Sequence, residues 1–354
     1  MQRSLCIWVV FAASALGQSW TVPAAFASTD ATGLGAVPGF TQRFRQQAIY
    51  GASLLTPLAG HAIREIRFRR DGQFAGALGA GRARLTVRMS ATTRAVLQTS
   101  PMFADNHGSV VTVFQGMIDL PASPALTHRD EPTWTSPHAV TIPLSTSFHY
   151  TGGQLALDIE GQPDAANRTR WWPIDQYMEP IIGTAASVGT ACDGRNDLNV
   201  AADQLVPGAS VRFVAGGAPL STSVLAIAPA RMPAVDLGFL GYPGCTLHVP
   251  LDVLLTRPVS AGFHGSGGAA NHVVQLPAHG QLLGAPLAIQ AVSVWLEGQT
   301  ARLATSPALD LTLAGRLPQV DVAMVTSVLL GDTDPAPEAG RVYLTRAPVV
   351  QFGW

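Results

Sequence analysis

The sequence predicts an all-β protein built from two β-sandwich domains, jelly-roll or Ig-like, in series. Three observations predict it. Apolar residues recur with period two, not 3.6. The 35 Gly and 26 Pro fall in clusters that suit many tight turns. Hydrophobic residues make up 47% of the chain and charged residues only 13%, as strands buried on at least one face require. A length of 354 residues suits two domains and a sizeable core. The scarcity of charge excludes a disordered chain. Net charge is −1, so nothing steers the protein to nucleic acid or an acidic membrane. All 22 basic residues are Arg, which reads chiefly as a solvated surface charge set.

Residues 1–17 read as a secretory signal peptide. Arg3 supplies a positive start, Leu5 to Leu16 an apolar run, and Ala15-Leu16-Gly17 a small-x-small cleavage site before Gln18. Ala25-Phe26-Ala27 is a second, less well spaced site. The apolar run falls short of the ~20 residues that a membrane span needs. Leu282 to Leu296 is apolar too, but Gly284, Pro286 and Gln290 interrupt it, so it reads as two strands. The expectation is an exported protein, secreted or held at the cell envelope, with no transmembrane segment after signal cleavage.

The first domain is expected over 18–185. Ile63 to Arg69 and Leu85 to Met89 alternate apolar and polar residues, as strands with one wet face do. Val110 to Phe114, Ala139 to Leu144 and Phe148 to Tyr150 follow. Gly152-Gly153 before the strand Gln154 to Ile159 signals a hairpin. Pro163 to Leu205 is polar and irregular and reads as the crossing between domains. The second domain is expected over 186–354. Its strands are Ser210 to Ala215, Thr222 to Ala228, Cys245 to Val249, His272 to Leu276, Ala288 to Leu296 and Leu309 to Leu313. A terminal strand pair, Val320 to Leu330 and Arg341 to Val350, ends it.

Cys6 leaves with the signal, so Cys192 and Cys245 remain. An even pair in an oxidising compartment is most simply a disulfide. It would close a loop of about 50 residues and add roughly 3–4 kcal/mol in the chain-entropy model. Two buried thiols or half a metal site are the alternatives. Neither Cys has a CxxC partner or a His at ligand spacing, which disfavours zinc.

Several segments then stand in a distinctive order. The first half shows Trp20-Thr21-Val22-Pro23, Gln42 to Gln47, Phe68-Arg69-Arg70-Asp71-Gly72 and Phe148 to Asp158. The second shows Gly189 to Cys192, Leu237 to Cys245, Gly284 to Gln290 and Thr305 to Leu309. In this order the chain resembles a group of uncharacterised secreted two-module β proteins of planctomycete-type bacteria. The resemblance covers most of the mature chain and is looser in the C-terminal tail. It implies export, the two-module architecture and a Cys192–Cys245 pairing; it implies no chemistry.

No catalytic set emerges. His264-Gly265-Ser266-Gly267-Gly268 resembles an oxyanion loop, but no G-x-S-x-G elbow accompanies it. His264, His272 and His279 are spaced irregularly for a metal. Asp193, Asn196, Asp197 and Asn199 crowd one loop and are weak candidates for calcium, the one cofactor considered. Asp332 and Asp334 are weaker still. Asp158, Glu160 and Asp175 offer carboxylates of the kind glycoside hydrolysis uses, with no motif to pair them. Asn167-Arg168-Thr169 fits a glycosylation sequon. Trp171, Trp172 and Tyr177 form an aromatic cluster that could stack on sugar rings if exposed, or cover a sheet end if buried. The leading expectation is a non-enzymatic extracellular or envelope protein with a structural or adhesive role, its partners extracellular glycan or envelope components. A carbohydrate-binding protein is the alternative, and a secreted hydrolase the second alternative.

Overall fold

The computed structural model describes residues 18–40, 42–166, 172–192, 194, 196–261, 268–327 and 337–354. The expected signal peptide lies outside the described residues. The protein is all-β, with several sheets, antiparallel pairing between its strands and, among the described residues, only short 3-10 turns besides. No helix among the described residues is long and apolar enough to cross a membrane.

Two sheets face each other across the main core. One has four strands in the order Ser19–Val22, Val350–Gly353, Ala62–Arg69, Ala139–His149. The other has six, in the order Arg341–Leu344, Val322–Thr326, Phe44–Tyr50, Gln154–Pro163, Gly81–Thr92, Val111–Leu120. Ile66, Phe68, Ile142 and Phe352 from the first pack with Tyr50, Leu85, Val87 and Leu157 from the second. Each such side chain contributes about 1.5–3 kcal/mol by leaving water. Alternation explains which residues these are: Leu85, Val87 and Met89 are buried at every second place. Ala62–Arg69 breaks the rhythm, because Ile63 and Ile66 are both buried. A bulge between Ile63 and Glu65 against Ala139–His149 repairs the parity.

The expected hairpin at Gly152-Gly153 is instead a crossing between these two sheets. Ala139–His149 pairs with Ala62–Arg69, whereas Gln154–Pro163 pairs with Phe44–Tyr50 and Gly81–Thr92. Tyr150 keeps its backbone bonds with the first sheet, donating to His61 and accepting from Gly60. Both glycines have positive φ, 115° and 90°, which lets the chain turn without re-pairing.

The irregular stretch from Pro163 to Leu205 holds a buried strand, Ile174–Met178. It is the centre of a three-stranded sheet between Gly33–Gly35 and Arg346–Pro348. Its signal was masked because Asp175 and Gln176 are polar residues held inside by partners.

The remaining strands form a second group. A five-stranded sheet runs Thr184–Val188, Thr300–Thr312, Pro286–Glu297, Thr222–Ala228, Val253–Pro258. A four-stranded sheet runs Leu198–Val200, Ser210–Gly217, Gly268–Gln275, Ser260–Ala261. Leu225, Ile289 and Leu311 of the first meet Val211, Phe213 and Leu198 of the second. Leu282 to Leu296, expected as two strands, enters one 12-residue strand, Pro286–Glu297.

The serial arrangement of 18–185 followed by 186–354 is not the one the pairing draws. Val322–Thr326 pairs with Phe44–Tyr50, and Val350–Gly353 pairs with Ala62–Arg69. The terminal strands therefore complete the first group, and the second is nested within it. An apolar cluster joins the two: Ile49, Ala156 and Val325 pack with Ile181, Val206 and Ala314.

Candidate functional site

Of the two readings of the aromatic cluster, Trp172 and Tyr177 take the buried one. Trp172 is fully buried; its Nε1 donates to the Pro121 carbonyl at 2.9 Å and its ring meets Phe40 edge-on. Tyr177 is buried beside Phe26, and its hydroxyl donates to Glu179 Oε2 at 2.9 Å. Burial, then the Glu179 carboxylate, raises the Tyr177 pKa. Both side chains are satisfied within the core, so neither offers a face to a sugar ring. Trp171 lies outside the described residues.

Cys192 and Cys245 form a disulfide. Cys192 Sγ also accepts from Thr305 N at 3.1 Å, which ties the bridge to the strand Thr300–Thr312. The weak calcium candidates stand beside it. Asp193 is outside the described residues, Asn196 is buried, and the Asp197 carboxylate accepts from Asn199 Nδ2 at 2.9 Å. His272 is buried against Ser223 Oγ at 2.9 Å, and burial, helped by Arg257, pushes its pKa down to about 4. His279 accepts from Gln281 N at the start of a 3-10 turn. His264, the sequon, Asp332 and Asp334 lie outside the described residues.

Two buried charged centres sit in the first group of strands. The first has the atoms of a Ser-His-Asp set. Ser90 Oγ is 2.7 Å from His107 Nδ1, and His107 Nε2 is 2.9 Å from Asp158 Oδ2. Arg45 grips Asp158 with two bonds, at 2.9 and 2.5 Å. Burial alone would raise the Asp158 carboxyl, but bonds from His107 and Arg45 outweigh it and hold the pKa below the usual value. Ser90 is fully buried, so its hydroxyl has no open approach for a substrate. Gln47 extends the network, with Nε2 2.8 Å from His107 Nε2 and 3.1 Å from the Phe103 carbonyl. The set braces the six-stranded sheet against the turn Phe103–Asn106. Ser90 and His107 lie on different elements with no motif between them, so the sequence carries no signal for the pairing.

The second centre gathers Asp30, Asp71 and Asp175, each with a carboxylate oxygen within 4.8 Å of the others. Arg69 bonds Asp175 Oδ2 and lies over the Trp134 ring, 4.8 Å from its centroid. Arg129 bonds Asp30 Oδ2 at 2.8 Å. Asp71 Oδ1 accepts from Gln73 N at 2.7 Å, but the buried Oδ2 has no hydrogen-bond partner. Burial first, then repulsion from Asp30, pushes the Asp71 pKa up to about 7. Burial also raises Asp175, to about 6, against the pull of Arg69. Three carboxylates facing two guanidiniums leave one negative charge in excess, in keeping with the raised pKa of Asp71. The third arginine, Arg70, is fully buried and spends its guanidinium on the carbonyls of Phe74, Gly76 and Pro124 and on Ser123 Oγ. Of the carboxylates singled out from sequence, Asp158 and Asp175 therefore fall in separate centres. Glu160 pairs with Arg43 and Arg88.

The surface of the second group differs. Val253–Pro258 is the edge strand of the five-stranded sheet, paired on one side with Thr222–Ala228. Val253 is 51% exposed and Leu254, on the opposite face, 47%. Leu251 just before the strand is exposed as well, as are Phe239 and Leu240 in a preceding turn. Asp252 stands just before the strand and Arg257 within it, near its far end. Edge strands are ordinarily protected by charge, proline or a bulge; here Arg257 and Pro258 stand at the far end, and Val253 and Leu254 lie away from them. Comparison with known proteins adds no relationship: no family model, no curated protein and no solved structure matches the chain.

Proposed function

We propose that this is a non-enzymatic protein of the cell exterior with a structural or adhesive role, exercised through the open edge Val253–Pro258. The observation that carries the reading is that this strand ends its sheet, paired on one side alone among the described residues, and exposes Val253 and Leu254 on its two faces. Such an edge accepts a further strand: main-chain bonds give affinity, and alternate side chains give selectivity. The occupant is an extended segment of an envelope or extracellular partner. The Cys192–Cys245 bridge is compatible with an oxidising exterior. Asp158, Asp175 and Glu160 are each committed to arginine, so the buried charge supports architecture.

The test is co-sedimentation of the purified protein with cell-envelope fragments, comparing wild type with Leu254→Lys. A lysine at an open edge blocks strand addition by its charge and hydration. The expected result is retention about tenfold weaker, with folding unchanged, since a surface substitution alters stability by roughly 0.5 kcal/mol or less. Equal retention of the two proteins contradicts the reading.

A further inference from the structure

A second surface, distinct from the strand edge and standing whether or not that edge is adhesive, lies where the two groups of strands meet. It is a cleft of about 320 Å³. Its floor is the face of the four-stranded sheet opposite the core. Ser210, Arg212 and Val214 project there at alternate places, while Val211, Phe213 and Ala215 point into the core. Val273 pairs directly with Arg212, and Asn199 with Val214, so both join the same floor. The opposite wall is Gly340, Arg341 and Val342, with Pro101 beside it.

The two walls are clamped. Gln204 is buried; its Nε2 donates to the Val342 carbonyl at 3.1 Å, and its Oε1 accepts from Arg212 N at 3.1 Å. The cleft is therefore held open at a set width by a satisfied side chain, which lowers the cost of ordering on binding.

The charge within it is unbalanced. The half-buried Arg212 guanidinium has neither a hydrogen-bond nor an ion-pair partner among the described residues, unlike Arg45, Arg69 and Arg129. Arg341 lies over the Tyr343 ring at 4.9 Å, and Arg346 stacks on the same ring. Asp203 feels both Arg341 and Arg346. Asn199, in the lining, donates its Nδ2 to Asp197, which lies outside the lining. The charged residues that line the cleft are Arg212 and Arg341, which makes it a positive site whose forked donors suit a carboxylate. Val214, Val273 and Pro101 add apolar patches between the polar groups, and the volume matches one or two sugar rings.

We propose that this cleft binds the carboxylate of an acidic sugar, with Arg212 as the principal ligand and Arg341 in support. The uronate would lay its ring over Val214 and Val273 and turn its carboxylate to the two guanidiniums.

Titration calorimetry with a galacturonate oligomer, its neutral methyl ester, an acidic peptide and inorganic sulfate tests this on the full folded protein. Wild type is expected to bind the uronate, with the neutral ester about tenfold weaker or more, as the loss of a charge-assisted bidentate contact implies. Arg212→Gln should lose a similar factor, Arg341→Gln a smaller one, and Arg64→Gln on a distant strand nothing. Arg212→Lys, which keeps the charge and loses the fork, should fall between and guards against misfolding of the Gln variant; thermal melts confirm each fold. Four outcomes overturn the proposal: no uronate binding at millimolar concentration, equal binding of uronate and neutral ester, unchanged uronate binding by Arg212→Gln, or a preference for the acidic peptide or sulfate. None of them bears on the strand-edge assay, so the two readings fail separately.

Discussion

The two groups of strands spend their polar and apolar residues in opposite ways. In the first, charge is inside: Asp158 and Asp175 are fully buried, each against an arginine, and the apolar residues fill a continuous core. In the second, ion pairs between described residues lie on exposed side chains, Arg231–Asp310 and Arg302–Glu297. There, apolar side chains reach the surface: Leu220, Phe239, Leu251, Leu254 and Leu296. A buried ion pair whose partner is lost is costly, so it specifies one arrangement strongly without adding much net stability. An exposed apolar edge adds nothing to stability and is retained where something covers it. On the proposed reading, the first group is the scaffold and the second carries the contact surface.

The largest effect tests the scaffold half of that contrast. Arg45→Met leaves Asp158 buried with its main cation gone and should destabilise the protein by about 3–5 kcal/mol in denaturant unfolding. A loss of less than roughly 1 kcal/mol would show that the pair is not structural.

Next is the bridge, which belongs to the second group. Replacing Cys192 and Cys245 together by Ser, across a separation of 53 residues, should cost about 2–4 kcal/mol. Hydrogen exchange should accelerate in Thr222–Ala228 and Thr300–Thr312 more than in Gln154–Pro163. Uniform acceleration would mean that the two groups unfold as one unit.

The Asp30–Asp71–Asp175 centre titrates against the usual direction for acids. Asp71 and Asp175 are raised, so between the ordinary carboxylate range and about 7 the folded protein holds protons that the unfolded chain has lost. Its contribution is therefore full at pH near 4 and declines as pH rises through 6 and 7. The denaturation midpoint should be lower at pH 8 than at pH 5. Asp71→Asn keeps the bond from Gln73 N and removes the excess charge. It should flatten that slope and add on the order of 1–2 kcal/mol at pH 8. A steeper slope in the variant would contradict the assignment. The smallest stability effect belongs to the edge, where Leu254→Lys should change unfolding by roughly 0.5 kcal/mol or less.

Much of the fold was legible. The period-two rhythm of Leu85, Val87 and Met89 identified a strand with one buried face, and the even cysteine count anticipated the bridge. Local signals failed where partners are distant. Gly152-Gly153 has the composition of a hairpin turn, but Tyr150 holds to Gly60 and His61, so the chain changes sheets. Val350–Gly353 reads as the end of a second domain, yet its partner is residues 65–68, far back in the chain. The polar centres were hidden for the same reason. Asp30, Asp71 and Asp175 share no motif, and only the meeting of three segments makes them one site. The sequence left Trp172 either a ligand platform or a buried cover, because nothing in it shows that Phe40 and Pro121 surround the side chain.

The central claim is that the open edge Val253–Pro258 receives a strand from an envelope partner. Hydrogen exchange of the amides of residues 253–257, with and without saturating envelope fragments, tests it most directly. The account predicts protection of about tenfold or more on binding, confined to this edge, and its loss in Leu254→Lys. Unchanged exchange at these amides while the protein is demonstrably bound would contradict it.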